Sequence, residues 1–201
     1  MTGPADAIVD LYSRRALEWD ADRGKILIEK TWLDAFLARL PLEGSILDLG
    51  CGPGRDLRAF RRLGHVAIGL DGCSRFVDMA RADSGCEVWL QDLMALDLPA
   101  ARFDGIFANA VLFHVPTQEL PRVLGELFSA LVPGGVLFSS NPRGDNVEGW
   151  SQGRYGAWHD LDAWRHHLAA AGFSEVEHYY RPPGLPREQQ PWLASVWRRP
   201  G

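Results

Sequence analysis

Cysteine is scarce in this chain of 201 residues: Cys51, Cys73 and Cys86 are the whole set, an odd number with no Cys-x-x-Cys pair. Neither a disulfide framework nor a zinc site is expected, and no other metal site is predicted. The thiols read as reduced residues of a cytoplasmic protein. An excess of positive charge is lacking too. Lys and Arg together number 21 against 26 Asp and Glu, a formal net charge of -5. Nucleic-acid binding needs a basic face to neutralise phosphates, so this balance argues against such a partner, although arginines gather near the C-terminal end at Arg181, Arg187, Arg198 and Arg199. No apolar run approaches the roughly 18 residues of a membrane-spanning helix. Residues 1–6 have neither the basic nor the apolar stretch of a secretory leader. The expectation is a cytoplasmic protein away from membranes, monomer or homodimer, with a small molecule as its partner.

Tryptophan is plentiful instead. There are eight, and Trp150, Trp158, Trp164, Trp192 and Trp197 all fall near the C-terminal end. They suggest an aromatic-lined pocket built by C-terminal loops, with ordinary core packing as the alternative.

Apolar spacing predicts helix from Asp6 to about Leu40, ended by Pro41. An alternation follows. Short apolar runs at Ser45–Leu49, Val66–Leu70, Glu87–Leu90, Phe103–Ala108 and Val136–Ser140 read as strands. Helical stretches at Arg55–Leu63, Ser74–Ala82 (Ser74 as its N-cap) and Thr117–Leu131 lie between them. Asn141–His159 reads as a long polar loop, Leu161–Ala171 as a helix stopped by Gly172, and Glu175–Arg181 and Leu193–Arg198 as two last strands. Strands alternating with helices imply an α/β domain: a mostly parallel sheet covered by helices on both faces. The final two strands are joined by a loop of about 10 residues, too short for a crossover, so they pair antiparallel. Seven strands in one domain are expected. Residues 1–40 form an N-terminal helical lid or cap, residues 45–140 a ligand-binding core, and residues 141–201 the substrate-side loops and hairpin.

The run Ile46-Leu47-Asp48-Leu49-Gly50-Cys51-Gly52-Pro53-Gly54 is a strand followed by a glycine turn. Such a turn lets backbone pass close under a ligand and opens a helix whose free N–H groups favour negative charge. Three details narrow the ligand. Asp48 would repel a pyrophosphate but suits a cationic group. The glycine spacing lacks the third glycine of dinucleotide sites, where Arg55 stands. Asp71 ends the second strand about 20 residues on, where a carboxylate can accept from two ribose hydroxyls. Residues 46–54 resemble the first motif of class I S-adenosyl-L-methionine (SAM)-dependent methyltransferases. Gly69-Leu70-Asp71-Gly72-Cys73-Ser74, Gln91-Asp92-Leu93, Phe103-Asp104-Gly105-Ile106-Phe107-Ala108-Asn109-Ala110 and Leu131-Val132-Pro133-Gly134-Gly135 resemble the motifs that follow, in register over residues 45–140.

That resemblance implies a Rossmann-like sheet of order 3-2-1-4-5-7-6 with the seventh strand reversed, and SAM as cofactor with S-adenosyl-L-homocysteine as product. It implies that Asp48, Gly50, Cys51, Gly52 and Gly54 face or shape the methionine side, and that Asn109 touches the methionine amino group. Asp71 and Gly72 would hold the ribose. Cys73, Asp92 and Leu93 would flank the adenine. In similar small-molecule enzymes the N-terminal segment covers the cofactor, so Tyr12 and Arg23, near Arg14 and Trp19, are the expected lid contacts.

Methyl transfer needs a base only when the nucleophile carries a proton. His114, in the loop after the fourth strand, is the candidate base; packing around Pro116 is the alternative. Substrate contacts are expected from the long polar loop, at Arg143, Trp150, Arg154, Tyr155 and Trp158, and from Tyr180 on the hairpin. Arg143 and Arg154 are candidates to grip a carboxylate. The function expected is methyl transfer to an O, N or S atom of a small polar molecule. The alternatives are an RNA or protein methyltransferase and a non-enzymatic SAM- or nucleotide-binding module.

Overall fold

The computed structural model describes residues 4–23, 31–151 and 153–201. Helices α1 (Pro4–Arg23) and α2 (Thr31–Leu37) precede strand β1 (Ser45–Leu49). Then come α3 (Arg55–Arg62), β2 (Val66–Asp71), α4 (Ser74–Ser84), β3 (Glu87–Leu90), β4 (Phe103–Asn109), α5 (Leu120–Ala130) and β5 (Leu131–Pro142). The chain continues through β6 (Val147–Ser151), β7 (Arg154–Trp158), α6 (Leu161–Ala170), β8 (Ser174–Arg181) and β9 (Trp192–Arg198). Seven strands make one sheet in the order β3-β2-β1-β4-β5-β9-β8, parallel from β3 to β5, with β9 antiparallel to both β5 and β8. With β6 and β7 set aside, this is the expected order and the expected reversed strand.

The central strands are apolar on both faces because helices cover both. One face carries Phe107 and Phe138, their rings stacked at 4.8 Å, against Phe36 of α2 and Phe60 of α3. On the other face Leu47, Leu49 and Ile106 pack against α5 and α6 through Leu124, Leu127, Trp164 and Leu168. The short buried runs of the sequence are therefore strands sealed between two apolar layers. Tyr179 and Tyr180 divide between the two layers, as alternation along a strand requires.

Three expectations need correction. The loop expected over Asn141–His159 contains an antiparallel ribbon, β6 with β7, outside the main sheet. Its base is clasped by Asn146, whose amide donates to Asp160 Oδ2 at 2.8 Å while Asn146 Oδ1 accepts the Asp160 N–H at 2.9 Å. Asp160 also caps α6 by accepting the Ala163 N–H at 2.8 Å. Second, α4 is capped at Cys73, not Ser74, and the Cys73 N–H is taken by Asp71. Third, α5 begins at Leu120 rather than Thr117, with Pro121 in its first turn where a missing N–H costs nothing. Among the described residues no helix is long and apolar enough to cross a membrane.

Phe107 is fully buried and touches three other phenylalanine rings. Phe107→Ala is expected to lower stability by about 3–5 kcal/mol through lost burial and the cavity left behind. Urea unfolding checks this; a loss below about 1 kcal/mol would mean the aromatic layer closes over the gap.

Candidate functional site

The site begins at the glycine turn after β1. The Gly50 and Cys51 N–H groups both donate to the Leu70 carbonyl, at 2.7 and 3.1 Å, folding the turn back onto β2. Gly50 sits at φ 67°, and a Cβ there would stand 2.5 Å from Val111 Cγ2. Gly54 sits at φ 93°, and a Cβ there would stand 2.8 Å from the Ala80 Cα. Both glycines are demanded by close approach as well as by backbone conformation. Asp71 joins the two turns. One carboxylate oxygen accepts the Gly52 N–H at 2.9 Å and the other accepts the Cys73 N–H at 2.8 Å. Asp92 accepts the Met94 N–H at 2.8 Å and so caps a short 3-10 turn.

These groups surround a cleft at the carboxyl end of the sheet, where β1 lies between β2 and β4 and the strand order reverses. Gly50, Gly52, Asp71, Gly72, Cys73, Asp92, Leu93 and Asn109 line it, as do Tyr12 from α1 and His114. It encloses about 870 Å³ of empty space with its open mouth included, within the roughly 300–1,000 Å³ of small-molecule sites. Ten of the thirteen predicted cofactor and lid residues and candidate bases with described surroundings thus meet in one place, drawn from five segments of the chain. Asp48 and Cys51 lie on the other side of the glycine turn, in a second cleft that shares Gly50, Pro53 and Asn109 with the first. Gly54 lies under α4 rather than in either cleft. The surroundings of the Arg23 and Trp19 side chains lie outside the described residues.

His114 is buried and holds three elements together. A carbonyl can only accept, so its Nδ1–H donates to the Tyr155 carbonyl of β7 at 2.8 Å. Its Nε2 is then bare and accepts the Tyr12 hydroxyl of α1 at 3.0 Å. Burial pushes its pKa down to about 4, opposed by the bond to Tyr155 and helped by the nearby Arg154 charge. The imidazole is neutral at physiological pH. Burial, with Asp48 and Asp71 close by, pushes the Cys51 thiol far up, so it stays protonated and is a poor nucleophile.

The expected substrate residues stand elsewhere. Arg143 donates Nε to the Gln190 carbonyl and Nη2 to the Arg187 carbonyl, both at 2.8 Å, stapling the end of β5 to the proline-rich loop. Trp150 is 56% exposed on the ribbon. The Tyr155 hydroxyl bonds Glu148 on the neighbouring strand. Tyr180 lies under the Arg187 guanidinium. None of these, nor Arg154 or Trp158, lines either cleft. The C-terminal tryptophans build no wall of the two clefts, and Trp164 and Trp197 are core. Sequence reasoning missed Val9, Phe76, Met94 and Val111 as walls of the first cleft. Apolar side chains carry no chemical label; only their position beside a motif residue could have revealed them.

Residues 46–135 match the family described as methyltransferase domain. Over that segment the chain is similar to methyltransferase domains. It is 30% identical over 138 residues to malonyl-[acyl-carrier protein] O-methyltransferase of Enterobacter lignolyticus, a match covering 67% of this chain and 53% of that protein. It is 38% identical over 111 residues to trans-aconitate 2-methyltransferase of Azoarcus sp., covering 53% of this chain and 43% of that one. The chain thus spans about half the length of the curated relatives it matches. Among solved structures, the fold resembles 1,6-didemethyltoxoflavin-N1-methyltransferase of Burkholderia thailandensis, solved with 1,6-didemethyltoxoflavin and S-adenosylhomocysteine bound. The TM-score is 0.79 at 21% identity, covering 100% of this chain and 92% of that one.

The residues of the first cleft and its rim have a chemistry that fits SAM. Asp71 is a carboxylate at the end of the second strand that lines the cleft, the acceptor chemistry that vicinal hydroxyls call for. Leu93, Met94 and Phe76 give an apolar slot for a flat heterocycle. Asp48, 3% exposed beside Gly50, is a buried carboxylate that favours a cationic neighbour.

Because His114 is neutral when folded and ordinary when unfolded, the unfolded chain binds the extra proton between pH 6.5 and about 4. Its contribution is fully present above pH 6.5 and is lost progressively as pH falls towards about 4. Urea unfolding across that range should show wild type losing stability more steeply than His114→Gln; parallel curves would refute the neutral, buried imidazole.

Proposed function

We propose that this chain binds SAM in the first cleft and transfers its methyl group to an O, N or S atom of a small polar molecule. One observation carries the reading: a single carboxylate, Asp71, pins the two turns that line the cleft, with Asp92 and Asn109 beside them. The methyltransferase-domain match over residues 46–135 supports the same assignment. SAM supplies an electrophilic methyl group on a sulfonium, so the protein's task is alignment and exclusion of water.

In this reading Asp71 and Gly72 hold the ribose, while Asp92, Leu93 and Cys73 hold the adenine. Asp48, Gly50, Gly52 and Asn109 orient the methionine end. Cys51 and Gly54 shape the turn from behind. Tyr12 covers the cleft. The base role is not assigned to His114, because its Nε2 lone pair already accepts the Tyr12 hydroxyl and burial disfavours its charged form. His114 is a positioning residue that ties the lid helix and the ribbon to the cofactor side. The overall negative charge and a cleft of small-molecule size support a small acceptor.

Isothermal titration calorimetry tests the reading. SAM and S-adenosylhomocysteine are expected to bind and NAD to give no heat. Asp71→Ala should weaken S-adenosylhomocysteine binding by about 1–3 kcal/mol, the cost of hydrogen bonds to a ligand left unmade. An unchanged affinity would remove Asp71 from the ribose.

A further inference from the structure

A further cavity lies beneath the ribbon, on the side of the sheet that packs against α5 and α6. Phe113, Asn141, Ala157, His159, Trp164 and Leu193 line it, and it encloses about 230 Å³ with its mouth included. Local structure builds it. The Trp164 indole donates to Ser139 Oγ at 3.2 Å, so Ser139 faces α6, and Asn141, two residues on, faces the same way. The ribbon forms the roof: a Cβ on Gly156 would stand 3.1 Å from Phe113 Cδ2. The His159 ring lies near-parallel to Trp164, with 23° between their planes.

Two of these walls end in buried polar atoms that stand alone. Asn141 is 8% exposed, and its Oδ1 has no hydrogen-bond partner among the described residues. His159 Nε2 is likewise buried and has none. A buried polar atom without a bond costs free energy, and one polar group placed between these two satisfies both. Burial, with His167 close by, pushes the His159 pKa below the ordinary histidine value, against the pull of Glu148 and Asp160, so the ring is uncharged at physiological pH. The cavity also adjoins the cofactor side. Asn141 follows Ser140, which pairs with Asn109 of β4. Phe113 precedes His114, with their ring centroids 3.9 Å apart. Asn109 and His114 both line the first cleft, so the aromatic pair sets one ring on each site.

We propose that the cavity under the ribbon is an anchoring subsite for the methyl acceptor, and that it takes an uncharged group carrying an O–H or N–H donor, such as a hydroxyl or a primary amide. Asn141 Oδ1 accepts that hydrogen, and His159 Nε2 is the second contact. The inference rests on the reading of the first cleft as the SAM site. No wall of the cavity carries a formal charge, so a carboxylate or an ammonium would be buried there without a counterion, at high cost. Phe113, Ala157, Trp164 and Leu193 suit the carbon frame next to the polar group.

The test uses the full chain, first titrated with S-adenosylhomocysteine so that the cofactor site is judged on its own. Small uncharged alcohols, phenols and primary amides are then screened by thermal shift, with and without S-adenosylhomocysteine, each beside the analogue whose donor group is replaced by methyl. At least one donor-bearing compound is expected to stabilise the protein where its analogue does not. Calorimetry on the best of them should show Asn141→Leu weakening it about tenfold, the effect of a buried hydrogen bond left unmade. S-adenosylhomocysteine affinity should stay within about twofold, far less than one lost hydrogen bond. His159→Phe, which keeps a ring but removes Nε2, should weaken the same compound. Without ligand, Asn141→Leu is expected to melt no lower than wild type, because an apolar side chain of similar size removes an unbonded polar atom. Methyl analogues binding as well as their parents overturns the proposal, whether or not the variants fold. So does a folded Asn141→Leu or His159→Phe that binds the compound as wild type does. A lower melting temperature at unchanged affinity would make Asn141 structural and overturns it too. No S-adenosylhomocysteine binding by wild type is a different failure, that of the cofactor site itself, and the donor-bearing compounds still report on the cavity.

Discussion

Much of the site depends on where the two oxygens of Asp71 go. One takes the Gly52 N–H and the other the Cys73 N–H, so the turn after β1 and the turn after β2 are held by one side chain. Both N–H groups lie beside a cleft and would otherwise need water or a ligand. The carboxylate fixes them, and it lines the same cleft. Its structural role and its place at the cleft are therefore one arrangement. Asp92 repeats the pattern on β3, capping a short turn while bordering the cleft. Capping and ligand binding are not competing explanations at these positions. A carboxylate fixed by backbone donors is a pre-organised acceptor, and pre-organisation is what limits the entropic cost of binding.

His114 does for the lid what Asp71 does for the floor. Its two ring nitrogens join residues far apart in the chain, Tyr12 of α1 and Tyr155 of β7. The ribbon gains its place through this contact, because it shares no strand pairing with the main sheet. A charged imidazole would lose the acceptor that holds Tyr12, so burial and the neutral state support each other. The same residue type in the same loop would look catalytic if judged by identity alone. Its partners show a structural tie between α1 and β7 that identity alone does not reveal.

What the sequence could convey follows from where the constraint was local. The central parallel strands were legible because each is a short apolar run buried on both faces, while β3 at the sheet edge keeps only Val88 buried. The glycine turn was legible because close backbone approach excludes every other side chain at Gly50 and Gly54. The ribbon at Val147–Trp158 was not legible. Its strand β6 is mostly exposed and interrupted by Gly149, so it shows no apolar alternation; what holds its base is the Asn146–Asp160 clasp, between residues 14 apart. Substrate-side arginines are hard to read from sequence for a related reason. A guanidinium can bind a ligand or staple a loop, and only its three-dimensional neighbours show that Arg143 is bonded to two main-chain carbonyls.

The same point applies to charge. A net charge of -5 describes the whole surface and disfavours a polyanionic partner. It says nothing about a patch a few ångströms wide. Along the carboxyl edge the chain sets Asp48 beside the glycine turn and Arg181 three strands beyond Asn109, opposite charges on one face of the sheet. Desolvating a charge costs free energy unless neighbouring charges and dipoles offset it. The character of a small patch is therefore set by the groups packed around it, which a net charge averages away.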